Sequence, residues 1–81
     1  KENKTMNATI NELEIRSDLK IRKGSIVSLD FDGDGRTIET RVDEIIMSDG
    51  DVFIASCTTG YGCPMSHSAE QYRRSGTLVK Y

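Results

Sequence analysis

Apolar and polar positions alternate with a period of two through much of this chain, most clearly after Gly24. Val27, Leu29 and Phe31 are interleaved with Ser28 and Asp30, the pattern of a strand with one buried face. Asp32-Gly33-Asp34-Gly35 follows, rich in residues that tolerate positive φ, and predicts a tight hairpin turn. A return strand is expected over about Arg36 to Met47. Ile38, Thr40 and Val42 share one face of it, but Ile45 and Met47 are out of phase with them, so a bulge or bend is expected near Asp43-Glu44. Ser48-Asp49-Gly50 forms a second turn. A third strand, Asp51 to Cys57, has Val52, Ile54 and Ser56 on one face and Phe53, Ala55 and Cys57 on the other. Apolar side chains on both faces place this strand at the centre of a sheet, and Phe31 and Phe53 in the core.

The two ends follow other patterns. Thr9-Ile10-Asn11-Glu12 has the spacing of a capping box, with Ala8 and Leu13 positioned to staple it, and predicts a short helix from about Ile10 to Asp18. Glu12-Leu13-Glu14-Ile15-Arg16 also alternates, so a strand is the competing reading. Thr58 to Met65, punctuated by Gly60, Gly62 and Pro64, reads as a loop. Ser66 then caps a helical turn of about Ser68 to Arg74, closed by Gly76, and Thr77 to Tyr81 forms the last strand.

Together these elements describe a mainly β chain: a short N-terminal helix, three antiparallel strands, a loop, a helical turn and a closing strand, assembled as a small barrel. From Leu19 to Tyr81 the order of elements, with the opening Lys23-Gly24-Ser25-Ile26-Val27, resembles SH3-like barrels, the architecture shared by Tudor and KOW modules. In Tudor-type barrels, loop and strand-end aromatics cage methylated basic side chains by cation–π attraction. The resemblance implies Tyr61, Tyr72 and Tyr81 as counterparts here. Fold alone does not set function.

At 81 residues, 36% of them apolar, the chain has material for one thin core and no second. Residues 1–8 are expected to be a disordered or tag-like N-terminus and 9–81 a single domain. No apolar run approaches the roughly 18 residues of a membrane span, which favours a cytoplasmic protein without membrane contact. The net charge of −2 is unevenly placed: between Asp30 and Asp51 eight acids meet only Arg36 and Arg41, so that stretch carries −6 and the remainder +4. Basic residues gather at Arg16, Lys20, Arg22 and Lys23, and again at Arg73, Arg74 and Lys80.

Candidate chemistry is sparse. Asp30 to Gly35 imitates the start of a calcium loop, but an EF-hand requires a bidentate Glu at its twelfth position, and Arg41 stands there. Cys57, Cys63 and His67 supply three ligands where zinc takes four, at a spacing that matches no standard finger. Free thiols, a disulfide across the short loop, or a metal site are the three readings of the pair, free thiols first. A Cys–His nucleophile would need a third orienting group and an oxyanion site, and no phosphate-binding or metalloprotease motif is present. No cofactor, metal or catalytic residue is therefore expected. Tyr61, between Gly60 and Gly62 at a loop tip, reads as a contact residue, the competing reading being a ring folded back over the barrel end. The expectation is a non-catalytic interaction module, in the manner of an accessory or inhibitory subunit. It would bind another protein through the Cys57–His67 loop and an adjoining acidic rim, with Tyr61, Asp32, Asp34 and Tyr72 in contact. The alternative is nucleic-acid binding through Lys20, Arg22, Lys23, Arg73 and Arg74, joined by Arg16.

Overall fold

In a computed structural model the described residues form eight strands and one helix. Residues 7–30, 33–60, 62 and 64–81 are described. The strands are β1 (Asn7–Thr9), β2 (Glu12–Arg16), β3 (Leu19–Arg22), β4 (Ile26–Leu29), β5 (Ile38–Ser48), β6 (Asp51–Thr58), β7 (Pro64–Ser68) and β8 (Thr77–Lys80), with α1 (Ala69–Ser75) between the last two. One sheet has the order β7-β6-β5-β4-β8, with β1 also paired to β5, and β2 and β3 make a separate two-stranded sheet. The chain is mainly β, as expected, but its strands form two sheets rather than the one closed barrel.

β5 organises the larger sheet. Its 11 residues are long enough to carry β4 along Ile38–Arg41 and β1 along Ile46–Ser48 on one edge. The gap between them is filled by single backbone bonds. Gly24 N–H donates to Val42 C=O and Val42 N–H to Ser25 C=O, both at 2.8 Å, and Ile10 N–H donates to Ile45 C=O at 2.9 Å. The expected bulge lies between Val42 and Glu44. Val42 and Ile45 are both buried, and an inserted residue is what lets positions of opposite parity face the same core. The second turn also forms as expected: Ser48 pairs with Asp51 around Asp49 and Gly50, whose φ values of 53° and 88° are those of a two-residue hairpin loop.

The first turn is longer than expected. β4 and β5 close at Leu29 and Ile38, so the return strand starts at Ile38 rather than Arg36. The Asp30 carboxylate accepts from Gly33 N–H at 2.7 Å and Gly35 N–H at 2.9 Å, which gives these loop amides a partner. The predicted N-terminal helix is not formed. Glu12–Arg16 is a strand paired with Leu19–Arg22, Leu13 opposite Ile21 and Glu14 opposite Lys20. The strand wins because its alternation turns Leu13 and Ile15 toward the cluster containing Leu19 and Ile21 while Glu12 and Glu14 stay in water. The loop expected over Thr58–Met65 ends early, because Pro64–Ser68 pairs with β6. Ser68, not Ser66, is the N-cap of α1, and Gly76 ends it.

The core is Leu19, Ile21, Val27, Leu29, Val42, Ile45, Ile54 and Tyr72. α1 and the β2–β3 hairpin cover the inner face of the sheet. Gly76 is required there by space rather than by φ: a Cβ would lie 2.6 Å from the Tyr72 carbonyl oxygen and 3.0 Å from Leu19 Cδ2. β6 is interior, but β5 rather than β6 stands in the middle of the order. Phe53, expected in the core, is 40% exposed. The reason is parity: Ile54 takes the inner position, so its neighbour points outward.

Candidate interaction surface

Residues opposite one another in an antiparallel register share a face, so the pairings assign each side chain of β5, β6 and β7. Thr40–Thr58, Val42–Ser56–Met65 and Ile45–Ile54–His67 lie on the inner face. The outer face carries the rows Arg41–Cys57–Pro64, Glu44–Ala55–Ser66 and Ile46–Phe53–Ser68. No described element packs over these outer rows. Phe53 stands among small or half-buried neighbours there, beside Ile46, Ala55 and Ser68. Near the hairpin tip Met47, on the inner side, is also exposed. The distal end of the β5–β6 hairpin thus offers apolar side chains on both faces, with Asp49 and Asp51 exposed at its tip and Glu44 beside Ala55.

Most of the acids singled out from the sequence have local partners. Asp34 pairs with Arg36 at 2.9 Å, and the Arg36 backbone N–H and guanidinium hold its carboxyl below the usual aspartate value. Asp43 pairs with Arg41 at 3.0 Å. Asp30 is used within its loop. The carboxylates left for a partner are Glu39, Glu44, Asp49 and Asp51, all exposed and without an ion pair among the described residues. Phe31, expected in the core, and Asp32, Tyr61 and Cys63 lie outside the described residues. Tyr72 is a correction: it is fully buried in the core, its ring edge-on to His67 with centroids 6.1 Å apart, and is not a surface contact. The hydrophobic demand for one large side chain between α1 and the sheet decides its place.

Cys57 and His67, the two described members of the cysteine–histidine set, lie on opposite faces of the sheet. Cys57 is a free thiol on the outer face, whereas His67 lies on the inner face. Burial depresses the basicity of His67, in keeping with an imidazole turned to the interior. Among the described residues no group of three His, Cys, Asp or Glu side chains is placed to hold a metal ion.

The basic residues are drawn into the fold. Arg16 Nη1 donates to the Arg73 carbonyl and Nη2 to the Gly76 carbonyl, each at 2.7 Å, while its Nε pairs with Asp18. This guanidinium satisfies carbonyls at the C-terminal end of α1, a cation where the helix dipole favours one. Arg73 pairs with Glu70. The Arg22 guanidinium stacks over the Tyr81 ring at 4.3 Å and donates to the Tyr81 carbonyl at 3.1 Å. In the β2–β3 register Arg22 faces Glu12 and Lys20 faces Glu14, so the hairpin's exposed face is charge-balanced rather than basic. Lys20 also lines a cavity of about 390 Å³ with Glu12, Ser17, Asp18, Leu78 and Tyr81. Lys23 borders a second, of about 290 Å³, beside Asp43 and Glu44. Arg74 is exposed on α1.

The signal that sequence reasoning missed is the outer face of β6. Phe53 and Ile54 are adjacent apolar residues in a period-two strand, and only the choice of which faces the core reveals the exposed one. No family model, no curated protein and no solved structure matches the chain. Among the described residues no helix is long and apolar enough to cross a membrane.

Proposed function

We propose that this chain is a non-catalytic interaction module that binds another protein. The contact surface in this reading is the outer face of β5, β6 and β7, running toward the β6–β7 connection and edged by Glu44, Asp49 and Asp51. The observation that carries it is Phe53, a large aromatic 40% exposed in the middle of a sheet face beside the half-buried Ile46, where a rigid ring offers wide contact area at small entropic cost. The carboxylates around it select a partner whose apolar patch is ringed by lysine or arginine. A long β5, bulged between Val42 and Glu44 and paired with β4 and β1 on one edge and β6 on the other, supports an SH3-like relationship, here in a cytoplasmic protein. Nucleic-acid binding is the weaker reading, since Arg16, Arg22 and Arg73 are held by the protein itself.

A photo-cross-linking residue at position 53, in cells that make the protein, is expected to capture one discrete protein. Phe53→Ser, and separately Glu44→Lys with Asp51→Lys, should weaken that complex at least tenfold while circular dichroism shows the free chain still folded. A complex unaffected by both variants would remove the assignment. Tyr61→Ala then measures how far the loop takes part.

A further inference from the structure

Strand β7 ends the sheet, and no strand pairs with its outer edge among the described residues. Which backbone groups that edge presents follows from the β5–β6 turn. In a two-residue hairpin the N–H of the residue after the loop bonds to the carbonyl of the residue before it, so Ser48 and Asp51 exchange hydrogen bonds. Backbone groups point alternately to either side along a strand, so Asp51, Phe53 and Ala55 bond toward β5, and Ile54 and Ser56 toward β7. Two observed bonds keep this phase: Thr59 N–H reaches Glu39 C=O of β5, and Thr58 C=O instead accepts from Gly62 beyond the strand. The pairs Ile54–His67 and Ser56–Met65 are therefore the hydrogen-bonded ones. The backbone groups of Pro64, Ser66 and Ser68 face outward from the sheet.

This edge has two gaps. Pro64 has no N–H. Ser68 is the N-cap of α1, and an N-cap carbonyl already accepts the first helical bond. We propose that β7 pairs antiparallel with β7 of a second copy, about a twofold axis at Ser66. In that register Ser66 faces the second copy's Ser66, and the two exchange both of their hydrogen bonds. Ser68 faces the second copy's Pro64, so Ser68 N–H donates to a free proline carbonyl. The missing proline donor is set against the serine carbonyl that the helix has already taken. The two gaps cancel, and no buried donor or acceptor is left over.

The side chains agree with a second copy as occupant. β7 carries no Lys, Arg, Asp or Glu, so self-pairing sets no such charges directly opposite one another. Short length is the one protective device visible on this edge, since the proline falls where it obstructs nothing. α1 leaves the edge clear. It runs from Ser68 back across the inner face, and its last residue, Ser75, reaches Asp30 beyond β4. The contact is made by the backbone edge of β7 rather than by the side chains of the outer face, and does not rest on the protein-binding reading.

Sedimentation and amide hydrogen exchange on the full chain test the pairing. The expected result is a monomer–dimer equilibrium in which Ser66 and Ser68 amides become protected as concentration rises. Ser66→Lys, which places two ammonium groups across the axis, should weaken the dimer at least tenfold, and Ser66→Thr should keep it. Circular dichroism and thermal melting of Ser66→Lys at low concentration separate loss of pairing from loss of fold. A chain that stays monomeric at millimolar concentration would overturn the proposal. So would a dimer that Ser66→Lys leaves intact, or one in which the Ser66 amide exchanges at an unprotected rate.

Discussion

In the β5–β6 hairpin, Asp49 and Gly50 adopt positive φ around a two-residue turn, and the strands pair residue by residue back to the bulge. In the β2–β3 hairpin the turn is Ser17-Asp18, without glycine, and the register already shifts between Glu14 and Arg16. What holds the second hairpin comes from outside it. Leu19 and Ile21 enter the common core, and the Arg16 guanidinium binds carbonyls from Arg73 and Gly76, far along the chain. One hairpin is specified by its turn and the other by its docking. Local chemistry read along the chain therefore finds the first and misassigns the second.

The largest blow to this contrast falls on the docked hairpin. Leu19→Ala should destabilise the protein by about 2–5 kcal/mol, since Leu19 is fully buried in one cluster with Val27 and Tyr72 and its loss leaves a cavity there. Urea unfolding checks this, and hydrogen exchange should show β2 and β3 losing protection first. Arg16→Ala should cost about 1.5–3 kcal/mol, the range for hydrogen bonds made by a charged group. Arg16→Lys should not restore it, because an ammonium cannot span both carbonyls as the guanidinium fork does. Gly50→Ala tests the self-specified hairpin. It should cost about 1–2 kcal/mol, the penalty for placing a side chain in left-handed backbone, and should add to the cost of Leu19→Ala in the double variant, because the two hairpins are specified separately.

The smallest effect is a pH dependence. Burial keeps the His67 imidazole less basic in the folded chain than its ordinary 6.5. Below that value the unfolded chain binds a proton that the folded chain resists, so stability is complete above about 6.5 and declines as pH falls from there toward the folded-state value. His67→Gln should flatten this part of the stability–pH curve, measured as thermal midpoint between neutral and mildly acidic buffer.

The candidate site was legible in part. The acidic stretch and the strand carrying Phe53 are plain in the sequence, but the pairing of Asp34 with Arg36 and of Asp43 with Arg41 removes much of that charge from the surface. Tyr72 shows the opposite failure: an aromatic on a short helix reads equally well as contact or core until the sheet beneath it is known. Both errors come from side-chain direction, which a one-dimensional pattern leaves open wherever apolar residues are adjacent.

By itself the sequence determined what depends on near neighbours. That includes the two-residue turn at Asp49-Gly50, the bulge demanded by Val42 and Ile45, the end of α1 at Gly76, and the strands that lead into them. Only the tertiary structure decided which of two competing local patterns Glu12–Arg16 adopts, that Pro64–Ser68 joins β6, and that Phe53 rather than Ile54 faces solvent. The physical reason is the same in each case. Strand pairing and burial depend on contacts between distant segments, and free energies of this size outweigh the small local preferences that sequence spacing records.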